Sequence, residues 1–122
     1  MFSDGNSKRI SWIIKTDDFT DEQERDHVEL YLDKVTKEQS KYIALHVGIF
    51  WGIGRFIIHN GDTVNVMIDS KSMYEHLNED AEISDEFIEK RTWYLKELIA
   101  QRKLNIKYFL IDPAEDIATK LL

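Results

Sequence analysis

The spacing of apolar residues changes along the chain, and each change marks an element. Ile10, Trp12 and Ile14 alternate with their neighbours, which predicts a strand over residues 9–15. Val28, Leu30 and Leu32 alternate as well, predicting a second strand over 28–34, with the polar, acidic stretch from Thr16 to His27 as the connection of an antiparallel hairpin. A short strand at Met1–Ser3 precedes the pair and ends in Asp4-Gly5.

The period then becomes helical. Thr36-Lys37-Glu38-Gln39 fits a capping box. Tyr42, Leu45, Ile49, Ile53 and Phe56 follow at helical spacing, and further apolar residues widen the stripe until the helix is apolar nearly all round and must be well buried. Asn60-Gly61 is the expected terminator. Gly48, Gly52 and Gly54 each cost the helix roughly 1 kcal/mol relative to Ala. The spacing of Gly48 and Gly52 therefore implies that another backbone comes close. A phosphate loop is excluded there, because the glycines lie inside the helical pattern and no Gly-Lys-Ser/Thr follows.

Val64, Val66 and Ile68 define an apolar, central strand over Thr63–Ile68. Asp69-Ser70 opens a helix through Leu77, and Ser84 caps the next one, with Phe87, Ile88, Tyr94, Leu95, Leu98 and Ile99 inward. Leu104, Ile106, Tyr108 and Leu110 alternate as a last strand, and Asp112-Pro113-Ala114-Glu115 starts a helix that runs to the end. The order β, β, β, α, β, α, α, β, α predicts an α/β fold: a mixed sheet, antiparallel first and then joined by crossovers, with helices on both faces. Over 122 residues no repeat, low-complexity tract or linker interrupts the pattern, and Pro113 is the single proline, so residues 1–122 read as one domain.

Composition narrows the function classes. No apolar run is long enough to span a membrane, no signal-peptide pattern opens the chain, and the absence of cysteine removes disulfides and thiolate metal sites, so a cytoplasmic setting is expected. The net charge of −7 argues against strong non-specific binding to nucleic acid. Base is nevertheless concentrated between Lys90 and Lys107, where Glu97 is the one acid. A local binding face and a solvated helix face both fit that run. Trp93 and Tyr94 beside Lys90, Arg91 and Lys96 combine aromatic and basic groups as nucleic-acid grooves do, although aromatics at helical spacing are usually core. His27, His46, His59 and His76 show no metal-ligand spacing, and Ser70 reads as a helix cap.

Three acids stand where open α/β sheets collect ligands, at or just beyond the carboxyl ends of strands. They are Asp4, Asp69 and Asp116. Taken singly, each reads as a residue favoured at a helix start. Converged, they would need a cation, and Mg²⁺ takes carboxylate ligands together with substrate phosphate. The run Ser40-Lys41-Tyr42-Ile43-Ala44-Leu45, followed by Val64-Asn65-Val66-Met67-Ile68-Asp69-Ser70-Lys71, resembles the ribonuclease HI-like branch of the ribonuclease H family. There an Ala-Glu-x-x-Ala-Leu helix leads to a strand ending in Asp-Ser. Phe2-Ser3-Asp4-Gly5 resembles the family's opening Asp-Gly, and Glu115-Asp116-Ile117-Ala118 resembles its closing Ala-Asp-x-Leu-Ala helix. The resemblance implies a five-stranded ribonuclease H-like sheet and hydrolysis of the RNA strand of an RNA–DNA hybrid with Mg²⁺ or Mn²⁺. Asp4, Asp69 and Asp116 would be its catalytic metal ligands.

The chain departs from the family pattern where it matters. The helix glutamate is replaced by Lys41, so the quartet loses an acid and gains a base. At about 4 Å and an effective dielectric near 20, that charge repels a divalent ion by roughly 8 kcal/mol. Glu38, one turn earlier, is the substitute ligand on offer. The loop before Asp116 is very short and has no counterpart of the family's flexible His- or Asn-bearing segment. Two readings follow: a metal-dependent nuclease, and a non-catalytic module of the same fold in which Lys41 neutralises the acids. The second module would bind nucleic acid, a protein partner or a second copy of itself.

Overall fold

The computed structural model covers residues 1–122. Five strands form one mixed sheet in the order β3-β2-β1-β4-β5. They are β1 (Phe2–Gly5), β2 (Arg9–Lys15), β3 (Thr20–Asp26), β4 (Thr63–Ile68) and β5 (Asn105–Leu110). β1, β2 and β3 are antiparallel neighbours, while β4 runs parallel to both β1 and β5. The helices are α1 (Lys37–Gly54), α2 (Lys71–Glu79) and α3 (Glu86–Gln101), followed by 3₁₀ helices at Pro113–Glu115 and Ile117–Leu121.

α1 begins as its sequence dictates. Gln39 N–H donates to Thr36 Oγ1 at 3.0 Å, and Thr36 N–H donates to Gln39 Oε1 at 2.9 Å. Gly48 and Gly52 make room for side chains and not, as their spacing implied, for another backbone: a Cβ on Gly48 would lie 3.0 Å from Trp12 Cγ, and one on Gly52 would lie 2.9 Å from Ile14 Cδ1. Tyr42, Leu45 and Ile49 are fully buried against Trp12 and Val66 in a single apolar cluster. α1 covers β1 and β2 on one face, and the 3₁₀ helix Ile117–Leu121 covers β1, β2 and β3 on the other.

Several expected elements are corrected. Residues 28–34 form turns, not a strand: Tyr31 and Leu32 N–H both donate to Val28 O, and Asp33 adopts φ 58°. Tyr31 and Val35 turn inward there, while Val28 and Leu30 are exposed. The hairpin partner of β2 is β3, inside the segment expected to be a connection. α1 stops at Gly54, because Phe56 takes φ 61° and the Ile57 and Ile58 N–H groups fold back onto Gly52 O. Asn60-Gly61 lies beyond that reversal. α3 is capped by Asp85, which accepts from Ile88 N–H at 3.0 Å, and not by Ser84. The closing segment is two 3₁₀ turns in place of one α-helix.

Candidate active site: an acid cluster closed by a lysine

Adjacent parallel strands with Phe2 level with Met67 put Asp4, near the end of β1, level with Asp69, just past β4. The third acid arrives from the C-terminal segment. Ser11 Oγ on β2 donates to Ala118 O at 2.7 Å and pins that segment to the sheet, and Thr119 Oγ1 donates to Asp4 Oδ2. Asp116 is thereby brought in, so that carboxylate oxygens of Asp4, Asp69 and Asp116 all lie within 4.8 Å of one another.

Lys41, one turn into α1, reaches into this cluster. Its ammonium donates to Asp4 Oδ1 at 2.8 Å and to Asp69 Oδ1 at 2.7 Å, and all three side chains are nearly buried. Burial alone disfavours the charge, but the hydrogen bonds and negative charges of Asp4 and Asp69 outweigh it and raise the Lys41 pKa above its ordinary value. The lysine is therefore a fixed cation. Gly5 N–H completes the shell of Asp4 Oδ1 at 2.8 Å.

Asp116 has no such partner. Oδ1 accepts from Ala118 N–H at 3.1 Å, while Oδ2 is buried without a donor. Burial first, then the charges of Asp69 and Asp4, push its pKa from 3.8 up to about 8. A proton on Oδ2 both removes the charge and supplies a donor toward Asp69. Because the fold holds a proton that the unfolded chain releases above about pH 4, this group makes stability fall as pH rises from about 4 to about 8. Asp116→Asn should flatten that fall. Its melting temperature is expected to match the parent near pH 5 and to exceed it by several degrees near pH 8, in keeping with about 1–3 kcal/mol for an unmet buried polar group. Equal thermal shifts at both pH values would show that Asp116 is already ionised.

Glu38 is not part of the cluster. Its Oε1 accepts from Ser70 Oγ at 2.6 Å and Ser72 Oγ at 2.9 Å, tying α1 to the start of α2. Thr119 and Ser11 are the site-building residues that sequence reading missed, and isolated hydroxyl residues carry no signal for such a role. A shallow cleft of about 390 Å³ opens beside Asp69, lined by Lys71 but also by Asp112 and Glu115.

The donor set does not suit a divalent ion as it stands. Mg²⁺ needs free carboxylate oxygens. Here the inward oxygens of Asp4 and Asp69 are engaged by an ammonium, and Asp116 favours its neutral form.

A mixed sheet in this order, with acids at the ends of its central parallel strands, is the ribonuclease H fold. Several solved structures share it, among them the following. One is RNase H1 from the halophilic archaeon Halobacterium salinarum NRC-1 (TM-score 0.75, 15% identity, 93% of this chain and 80% of that one). Another is the N-terminal RNase H domain of Rv2228c from Mycobacterium tuberculosis, solved as a fusion with maltose-binding protein (0.73, 17%, 98% and 86%). The third is LC11-RNase H1 in complex with an RNA/DNA hybrid (0.79, 15%, 98% and 89%). No protein-family model and no curated protein sequence matches the chain. No helix is long and apolar enough to cross a membrane.

Proposed function

We propose that this protein is a ribonuclease H-fold module that engages nucleic acid of the RNA–DNA hybrid type without hydrolysing it. Lys41 serves as the built-in cation of the former metal position. The observation that carries the reading is the Lys41 ammonium held between Asp4 and Asp69 at 2.8 and 2.7 Å. A divalent ion would have to displace a buried, doubly bonded cation and then sit beside it. The structural neighbour bound to an RNA/DNA hybrid supports the choice of ligand.

A hydrolytic reading is favoured by one observation, the convergence of three carboxylates within 4.8 Å. Under it, Asp4, Asp69 and Asp116 would hold Mg²⁺ or Mn²⁺.

Lys41→Glu separates the two. The parent protein is expected to show no heat of Mg²⁺ or Mn²⁺ binding by calorimetry and no cleavage of a labelled hybrid, while retaining salt-sensitive hybrid binding. The variant is expected to gain metal binding, because a base is exchanged for an acid inside the cluster. Metal-dependent cleavage by the parent chain, abolished in Asp69→Asn, would overturn the proposal in favour of the nuclease. Undetectable hybrid binding at low salt would overturn its nucleic-acid part and leave a protein partner or a second copy as the ligand.

A further inference from the structure

The outer face of α3 carries two cations that the fold leaves without an acid. Phe87, Lys90, Arg91 and Tyr94 share one stripe of the helix at spacings of three and four residues. With Tyr31 from the turn before α1, they line a cavity of about 360 Å³, within the range of small-ligand sites. None of its lining residues belongs to the acid cluster.

Arg91 is held in place by uncharged groups. Its guanidinium lies 5.7 Å from the centroids of both the Tyr31 and the Phe87 rings. One terminal nitrogen donates to Tyr31 Oη at 2.9 Å, and the other lies 3.2 Å from His46 Nδ1. Burial and the Arg91 charge hold the His46 pKa below its ordinary value, so the ring is neutral and Nδ1 accepts. Neither Arg91 nor Lys90 takes part in an ion pair, as is true of most Lys and Arg side chains of this chain. Arg91 keeps part of its five-donor fork free in a rotamer already fixed by packing, an arrangement suited to a phosphate. Around it, Tyr94 is 49% and Trp93 59% exposed, with ring centroids 5.0 Å apart and planes at 83°. Exposed aromatics beside free cations supply a surface on which a base can stack.

The geometry points to a nucleotide site on α3, in which Arg91 and Lys90 bind the phosphate and Tyr94 with Trp93 takes the base. The occupant is a free mononucleotide or one nucleotide of a single strand, since both present the same chemistry. This inference stands apart from the reading of the acid cluster, and neither depends on the other.

The test follows tryptophan fluorescence and calorimetry of the full chain at low salt, titrated with AMP, a ten-nucleotide oligothymidylate and inorganic phosphate. Two exposed substitutions, Lys90→Gln and Tyr94→Ala, are compared with the parent after circular dichroism has shown that their melting is unchanged. Binding of AMP or of the oligonucleotide is expected, weakened about tenfold by either substitution, with phosphate alone binding far more weakly. Oligonucleotide binding at least tenfold tighter than AMP identifies a strand as the source, and equal affinities identify the free nucleotide. No binding of either, affinities untouched by both substitutions, or phosphate binding as well as AMP would each overturn the nucleotide site. Metal binding and hybrid cleavage, compared between the parent and Lys41→Glu, read the acid cluster, whereas the effects of Lys90→Gln and Tyr94→Ala read α3, so the two proposals fail separately.

Discussion

Lys41→Met is expected to lower the unfolding free energy by about 3–5 kcal/mol, the usual cost of removing one partner of a buried ion pair. The ammonium contributes more through what it neutralises than through its own contacts. With it in place, the Asp4 and Asp69 carboxylates each have an ammonium at 2.8 and 2.7 Å. Without it, two nearly buried carboxylates face each other and Asp116 within the same 4.8 Å cluster. Methionine fills the volume of the lysine stem, so the loss reports charge and not a cavity. For a domain of this size the melting temperature should drop by about 10 °C or more. Two additions make the result specific. Asp69→Asn in the Lys41→Met background should restore part of the loss, because the acids are coupled through the missing charge. Millimolar Mg²⁺ should raise the melting temperature of Lys41→Met but not that of the parent, since binding to the folded state alone stabilises it. A loss below about 1 kcal/mol, with no response to Mg²⁺, would mean that the acids are neutral or hydrated in the parent and that Lys41 is not the cation of this site.

The sequence made the centre of this arrangement readable and left its borders unread, for identifiable reasons. α1 was legible because its capping box, apolar stripe and paired glycines all point the same way. β4 was legible from Val64, Val66 and Ile68 alternating on one face, all buried, and Asp69 as the acid just past its end. Lys41 could be placed against the acids through the resemblance, in which it takes the position of the family's helix glutamate. β3 was not legible. Its residues, Thr20 to Asp26, are polar because it is an edge strand with no buried residue; Asp21 and Gln23 are half-buried, and the exposed Arg25 sets its guanidinium 5.5 Å from the Trp12 ring centroid. The apolar alternation at 28–34 is fortuitous, since a turn half-buries Tyr31 and buries Val35, four apart, and leaves the alternating residues exposed. The helical spacing of Trp93 and Tyr94 reads as core, yet both are largely exposed, because the helix turns that side of α3 toward solvent. The role of Thr119 rests on a contact spanning 115 positions, which local pattern cannot encode.

Gly5→Ala is the second change expected to have a large effect, and it tests how firmly backbone packing holds the lysine in place. β1 passes so close to the first turns of α1 that a Cβ on Gly5 would fall on Ser40 Oγ and within 2.8 Å of the Ser40 carbonyl carbon and oxygen. A side chain can rotate away, but backbone atoms of a helix cannot move without displacing the helix. Overpacking of a core costs roughly 1–3 kcal/mol, and a backbone obstacle places this substitution at the upper end. The displacement falls on the residue before Lys41 and on the one after Asp4, so it also loosens the ion pair. Ser40 Oγ further bonds His27 Nε2 at 2.8 Å, which ties the same turn to the end of β3. The expected result is a melting temperature about 10 °C below the parent. Gly54→Ala is the matched control. A Cβ there meets nothing within 4 Å, so the same change at the end of α1 should be neutral or stabilising by up to about 1 kcal/mol. If Gly5→Ala melts with Gly54→Ala and the parent, β1 and α1 have room to part. In that case the short distance between Lys41 and Asp4 is held by charge alone and not by the packing of strand against helix.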